Sequence, residues 1–143
     1  MNCKDRFLGY KNALKDNGIK FNKKLVSYGG MHEIDGSTEI DNLIKNKIKF
    51  DAVFAVNDPV AIGASESLKK HGVNMPKDVA LVGFSNNPIT EYVTPSITTV
   101  EQPAFEMGKL AATILISLIK NEMINRNSKV IKLNSKLILR KSA

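Results

Sequence analysis

Polar side chains suited to holding a small molecule stand directly after short apolar runs. Asn57 and Asp58 follow Asp51-Ala-Val-Phe-Ala-Val56, and Ser85, Asn86 and Asn87 follow Val79-Ala-Leu-Val-Gly-Phe84. Gly29, Gly30, Met31 and His32 follow Leu25-Val26-Ser27-Tyr28, while Asn2, Cys3 and Arg6 open an amphipathic segment. In open parallel sheets, ligands bind beyond the carboxyl ends of the strands, so these four groups would share one rim. A guanidinium offers forked donors, and an Asn carboxamide both donates and accepts. With one ring residue they suit a polar, neutral or weakly anionic small molecule. Each also has a purely structural reading: Arg6 as a surface charge, Asn57 as a turn former, Asp58 as a helix cap.

The same residues do not assemble a reactive centre. His32 and His71 lie 39 positions apart, with no cysteine or paired carboxylate at metal-ligand spacing. There is no G-x-G-x-x-G or G-x-x-x-x-G-K-[ST] phosphate loop. Gly83-Phe84-Ser85 has the beginning of a nucleophile elbow, but Asn86-Asn87-Pro88 follows instead of a helix. Both histidines also precede Ser85, whereas hydrolases of that architecture carry the histidine last. A binding role is expected, with no catalytic residue, no metal and no cofactor.

The elements that must hold these residues are legible from period and punctuation. Phe7, Tyr10 and Leu14 mark a helix over 4–16, stopped by Gly18. Residues 25–28 form a short β-rich run. A second helix, with Ile40, Leu43 and Ile44 inward, is entered from Asp35-Gly36-Ser37. The runs at 51–56 and 79–84 are strands covered on both faces. Between them Asp58 is the expected N-cap and Pro59 the first helical residue of a helix closed by His71-Gly72. Residues 97–100 are a short strand, 103–120 the longest helix, and 130–133 and 137–139 half-exposed strands. Strands alternating with helices make an α/β chain with a parallel sheet. Because the sequence begins inside a helix rather than with a strand, it is expected to be part of something longer.

Composition supports one globular domain. The 143 residues are 43% hydrophobic and 24% charged, too apolar for a disordered chain. No run is long enough to span a membrane, and no signal peptide is visible. A single cysteine excludes an internal disulfide and fits a reducing cytoplasm. The net charge of +7 is local: residues 1–119 sum to +1 and residues 120–143 to +6. A basic end of this kind supports salt-sensitive phosphate contact, or simply a solvated face.

Several segments resemble the LacI/GalR family of bacterial transcription regulators. They are Arg6-x-x-Gly9-Tyr10-x-x-Ala13-Leu14, Phe54-Ala-Val-Asn-Asp58 with Ala61-x-Gly63, and Gly72-Val-Asn-Met-Pro76-x-Asp78-Val-Ala-Leu-Val-Gly-Phe84. Pro95-Ser-Ile-Thr-Thr-Val-Glu-Gln-Pro103, Gly108-x-x-Ala111 and Leu137-Ile-Leu-Arg140-Lys-Ser142 continue the match in order. The resemblance implies a type I periplasmic-binding-protein-like fold, of which this chain is the C-terminal half of the sensor region. Residues 1–100 would be the C-terminal sensor subdomain, 101–122 a crossover helix normally packed in the other subdomain, and 123–143 the returning strands. The crossover helix would then show an uncovered apolar face, prone to repacking or self-association.

Carried over residue by residue, the resemblance implies effector contacts at Arg6, Asn57 and Ser85, with Asn2 and His32 lining the pocket. Ile62 and Val93 fall on the family's homodimer surface. Ser85 departs from the Asp found in many sugar-responsive relatives, so it offers one hydroxyl where they offer a carboxylate. The implied function is sensing of a sugar-like effector and dimerisation. Operator DNA would be reached through a helix-turn-helix that this sequence does not contain. A solute-binding protein of a sugar transporter is the alternative on the same fold.

Overall fold

The computed structural model describes residues 3–120 and 130–143. Helix α1 (Cys3–Asp16) leads through a 3-10 turn at Lys23–Leu25 to α2 (Glu33–Lys45). Strand β1 (Ala52–Phe54), α3 (Asp58–Lys70) and β2 (Ala80–Val82) form a right-sized β-α-β unit, followed by the short α4 (Ile89–Tyr92). Strand β3 (Thr99–Glu101), the long α5 (Ala104–Ile119) and β4 (Lys136–Ile138) complete the order.

β1 and β2 pair in parallel, Ala52 opposite Ala80 and Phe54 opposite Val82. The pairing extends through Ala55 N–H donating to the Val82 carbonyl at 2.8 Å. On its other edge β2 meets the start of β3 through a parallel bridge, Val82 with Thr98. It also meets the C-terminal segment, where Leu81 N–H donates to the Ser142 carbonyl at 2.8 Å. β3 pairs with β4 antiparallel, so the sheet is parallel at its centre and antiparallel where the chain returns.

The core sits between the helix pair α2/α3 and β2, built from Ile40, Ala61, Ala64, Leu68, Val79, Leu81 and Ile97. Two glycines allow the helices to touch backbone to backbone. A Cβ at Gly36 would stand 2.0 Å from the Val60 carbonyl oxygen, and one at Gly63 would stand 1.8 Å from that of Glu33. Small residues here are a steric requirement, not an accident of composition.

Five expectations need correction. β1 is not covered on both faces, since Ala52 and Phe54 on one face are exposed. Residues 25–28 are no strand: Asn22 Oδ1 accepts from Lys24 N–H to cap the 3-10 turn. Val26 is extended, but 26–28 meets no ladder partner among the described residues. Helix α2 begins at Glu33, before the Asp35-Gly36-Ser37 cluster, because Asp35 Oδ2 reaches back to accept from His32 N–H at 2.8 Å. The α3 cap is Asn57, whose Oδ1 accepts from Val60 N–H at 2.9 Å. Asp58 turns inward instead, and Pro59 moves to the second helical position. Residues 130–133 do not form a strand, and the closing strand is 136–138 rather than 137–139.

Helix α5 matches its expected span closely and buries none of its residues. Ile62 and Val93 are half-buried at the edge of the core. Among the described residues, no helix is long and apolar enough to cross a membrane.

Candidate functional site

The carboxyl ends of β1 and β2 bring three of the expected residues together. The Arg6 guanidinium reaches from α1 across to β1, where Nη1 donates to the Val56 carbonyl next to Asn57. Its Cζ lies 4.1 Å from the centre of the Phe84 ring, next to Ser85. A carbonyl at one edge and an aromatic face beneath fix the plane of the fork. Arg6 is therefore a built part of this rim rather than a solvated surface charge.

Asn57 works in two directions. Its Oδ1 caps α3, and its Nδ2 donates to the Met31 carbonyl at 2.8 Å. That second bond draws the Gly29–His32 turn to the rim, leaving His32 exposed at the entry of α2. Asn2 lies outside the described residues.

Ser85 stands exposed just past β2 with φ +115, and Asn86 follows with φ +52. Two successive non-glycine residues in the left-handed region are uncommon, and such strain collects at functional sites. Several bonds hold the turn. Ser85 N–H donates to the Val100 carbonyl at 2.8 Å, and Gln102 Nε2 donates to Ser85 Oγ at 3.1 Å. The hydroxyl thus faces a carboxamide, which is no general base.

Beneath the turn lies Asp58, fully buried. Its Oδ1 accepts from Thr99 Oγ1 and its Oδ2 from Asn87 N–H, both at 2.6 Å. Short charge-assisted bonds of this kind offset the cost of burying a carboxylate. Gly83 makes the room, since a Cβ there would stand 2.2 Å from Asp58 Oδ1. Sequence reasoning missed this role, and also missed Phe84, Gln102 and Arg140; it placed Asn86 at the rim but not its link to Arg140. Arg140 gave little signal, because it follows the apolar run 137–139 beside Lys141 in a segment rich in cations.

At the far end of α3, roughly 20 Å away by helix rise, His71 Nε2 and Ser67 Oγ converge on Asp41 Oδ1 at 2.9 and 2.5 Å. The hydrogen bond from Ser67, then that from His71, holds the Asp41 carboxyl below its usual range. This cluster ties α2 to α3 and is remote from the rim. Among the described residues, no three His, Cys, Asp or Glu side chains group as metal ligands would. An open groove of about 580 Å³ runs between α5 and residues 131–135, lined by Met107, Leu110, Ile114, Ile131 and Leu133. It shares Gln102 with the rim and is otherwise separate from it.

The arrangement is one of hydroxyl, carboxamide and guanidinium at the ends of parallel strands, and residues 3–143 match the periplasmic binding protein-like domain. The chain belongs to that family. Its relatives bear out the LacI/GalR resemblance. It is 44% identical over 110 residues to the HTH-type transcriptional regulator RegA of Clostridium acetobutylicum, covering 77% of this chain and 33% of RegA. It is 31% identical to the ribose operon repressor of Haemophilus influenzae, covering 98% of this chain and 42% of the repressor.

Among solved structures, a sugar-binding LacI-family regulator from Escherichia coli complexed with phosphate superposes with a TM-score of 0.87 at 33% identity. That match covers 96% of this chain and 49% of the regulator. The regulator CelR in complex with cellobiose gives a TM-score of 0.87 at 31% identity, covering 96% of this chain and 42% of CelR. The chain thus spans between a third and a half of the length of these proteins. They are transcription regulators, which does not favour the transporter alternative.

Proposed function

We propose that this chain is the effector-sensing part of a LacI-type transcription regulator, a binding module in which Arg6, Asn57 and Ser85 meet a sugar-like effector. The observation that carries this reading is the meeting of Arg6, the Asn57 turn and Ser85 at the carboxyl ends of β1 and β2. Polar groups held by their own neighbours recognise hydroxyl-rich ligands without needing to rearrange. His32 would complete the rim from the α2 side. The similarity to regulators described as sugar-binding and cellobiose-bound supports the ligand class.

In this reading residues 1–100 form one sensor subdomain, and α5 in 101–122 crosses into a second, supplied by the rest of the regulator. Residues 123–143 return. The exposed apolar side chains of α5 are what such a covering would bury. Ile62 and Val93 would contribute to a homodimer. Effector binding would favour one closure of the two subdomains, and the dimer would carry that preference to the operator-binding heads.

The test is a set of thermal melts with D-ribose, cellobiose and related sugars, on this chain and on the regulator containing it. A sugar at ~100 times its Kd stabilises the fold by about 2.7 kcal/mol. That gain is expected to vanish in Arg6→Ala and Ser85→Ala. A gain that survives both substitutions overturns the site. Absence of any gain in both proteins overturns the ligand class.

A further inference from the structure

Asn86 sits where three segments meet. Its backbone N–H donates to Thr99 Oγ1 at 3.2 Å, and its Nδ2 donates to Glu101 Oε1 at 3.1 Å, both on β3. Its Oδ1 accepts from Arg140 Nη2 at 2.9 Å, just after β4. Strand β3 is the segment by which the chain leaves for α5, and β4 is the one by which it returns. One carboxamide therefore spans both crossings while its backbone forms half of the strained Ser85-Asn86 turn.

The charges on either side fix its orientation. The NH2 faces a carboxylate and the oxygen faces a guanidinium, so the flipped amide would oppose both partners. Arg140 is itself anchored: Nη1 donates to the Ile97 carbonyl at 2.9 Å and to Thr90 Oγ1 at 3.2 Å, and its N–H donates to Thr98 Oγ1 at 2.9 Å. The neighbouring contact from Gln102 to Ser85 Oγ joins the outgoing segment to the turn a second time.

We infer that Asn86 is a positioning residue that latches the Ser85 turn to both crossing strands, making turn, exit and return one mechanical unit. The latch deepens the effector reading and rests on it in one respect: only if Ser85 meets the effector does an occupant of the rim act on both crossings together. Asn suits the position doubly. It tolerates the left-handed backbone, and its carboxamide gives to a carboxylate through the nitrogen while taking from a guanidinium at the oxygen.

Two substitutions separate the arms. Asn86→Asp keeps an acceptor for Arg140 but sets a second carboxylate against Glu101. Asn86→Gly removes both arms and still accepts the left-handed backbone. The readout is residue-resolved amide hydrogen exchange on the 143-residue chain without ligand. In Asn86→Asp, exchange at Ser85, which donates to Val100, should rise about tenfold while Lys141, which donates to Ser96, stays unchanged. In Asn86→Gly both should rise. Leu68 in α3, remote from the latch, should move in neither.

Equal patterns in the two variants, no change in either, or a rise that includes Leu68 would overturn the latch. The last pattern would make Asn86 an ordinary stability residue. The exchange contrast needs no effector, so its outcome is separate from that of the sugar melts. A failed melt panel leaves the latch tested, and a successful one does not rescue it.

Discussion

Helices α3 and α5 differ in the opposite sense from their composition. α3 has 13 residues rich in Ala, Gly and Ser, and it buries Asp58, Ala61, Gly63, Ala64, Ser65, Ser67 and Leu68. α5 has 16 residues, most of them apolar, and buries none, with Phe105 79% and Ile119 71% exposed. Burial follows from who is opposite, not from how apolar a helix is. α3 gains its contacts by small size, which lets α2 approach to backbone distance at Gly36 and Gly63. α5 carries large side chains that nothing among the described residues buries, and contiguous exposed apolar surface of this kind is typical of interaction sites.

This contrast can be broken most directly at paired leucines. Leu68→Ala, at a fully buried position, should cost about 2–5 kcal/mol in a urea melt, and Leu115→Ala, more than half exposed, under about 0.5 kcal/mol. Similar losses at both would mean that α5 is covered after all.

Paired glycines sharpen the comparison. Gly63→Ala forces α2 and α3 apart and should cost about 3 kcal/mol. Gly108→Ala in α5 meets nothing within 4 Å and should instead stabilise by up to about 1 kcal/mol. A comparable gain, about 1 kcal/mol, is expected from Ser65→Ala. The Ser65 hydroxyl is buried in α3 without a hydrogen-bond partner among the described residues. A loss of stability there would reveal a partner for that hydroxyl.

The smallest effect concerns the far tie between α2 and α3. The carboxyl of Asp41 is lower in the folded chain than in the unfolded one, so its contribution is present above the ordinary carboxylate range. It is lost as the pH falls through the folded value. Asp41→Asn should therefore flatten the stability profile in acid, read as urea midpoints between about pH 2 and 6. An unchanged acid limb would remove the tie.

Local signals disclosed the helices and the central strands, because a 3.6-residue period or a short apolar run needs no distant partner to be recognised. They failed at residues 25–28, where β-rich composition was sound but a strand also needs a neighbour to pair with. They failed again at Asp58. Capping is a local role and was the natural one to assign, whereas its actual partners Thr99 and Asn87 lie 41 and 29 residues away. Arg6 and Ser85 could be placed at one rim by the strand-end rule. The Phe84 ring beneath Arg6 and the Asn86 bridge, with Arg140 54 residues on, arise only when the sheet is assembled.

The bond between β2 and Ser142 has a temporal side. Ser142 Oγ donates to the Leu81 carbonyl across 61 residues, and its own carbonyl accepts from Leu81 N–H. A ribosome adding about 5–20 residues per second needs roughly 3–12 s to supply Ser142 after Leu81 has been joined. Throughout that interval Thr98 can close only the Val82–Gly83 end of this edge, and Leu81 stays without its partner. An apolar strand waiting in that state is a template for the same strand of a neighbouring nascent chain on the same message. Slower translation downstream of β2 should therefore lower the yield of folded protein without any change in its sequence.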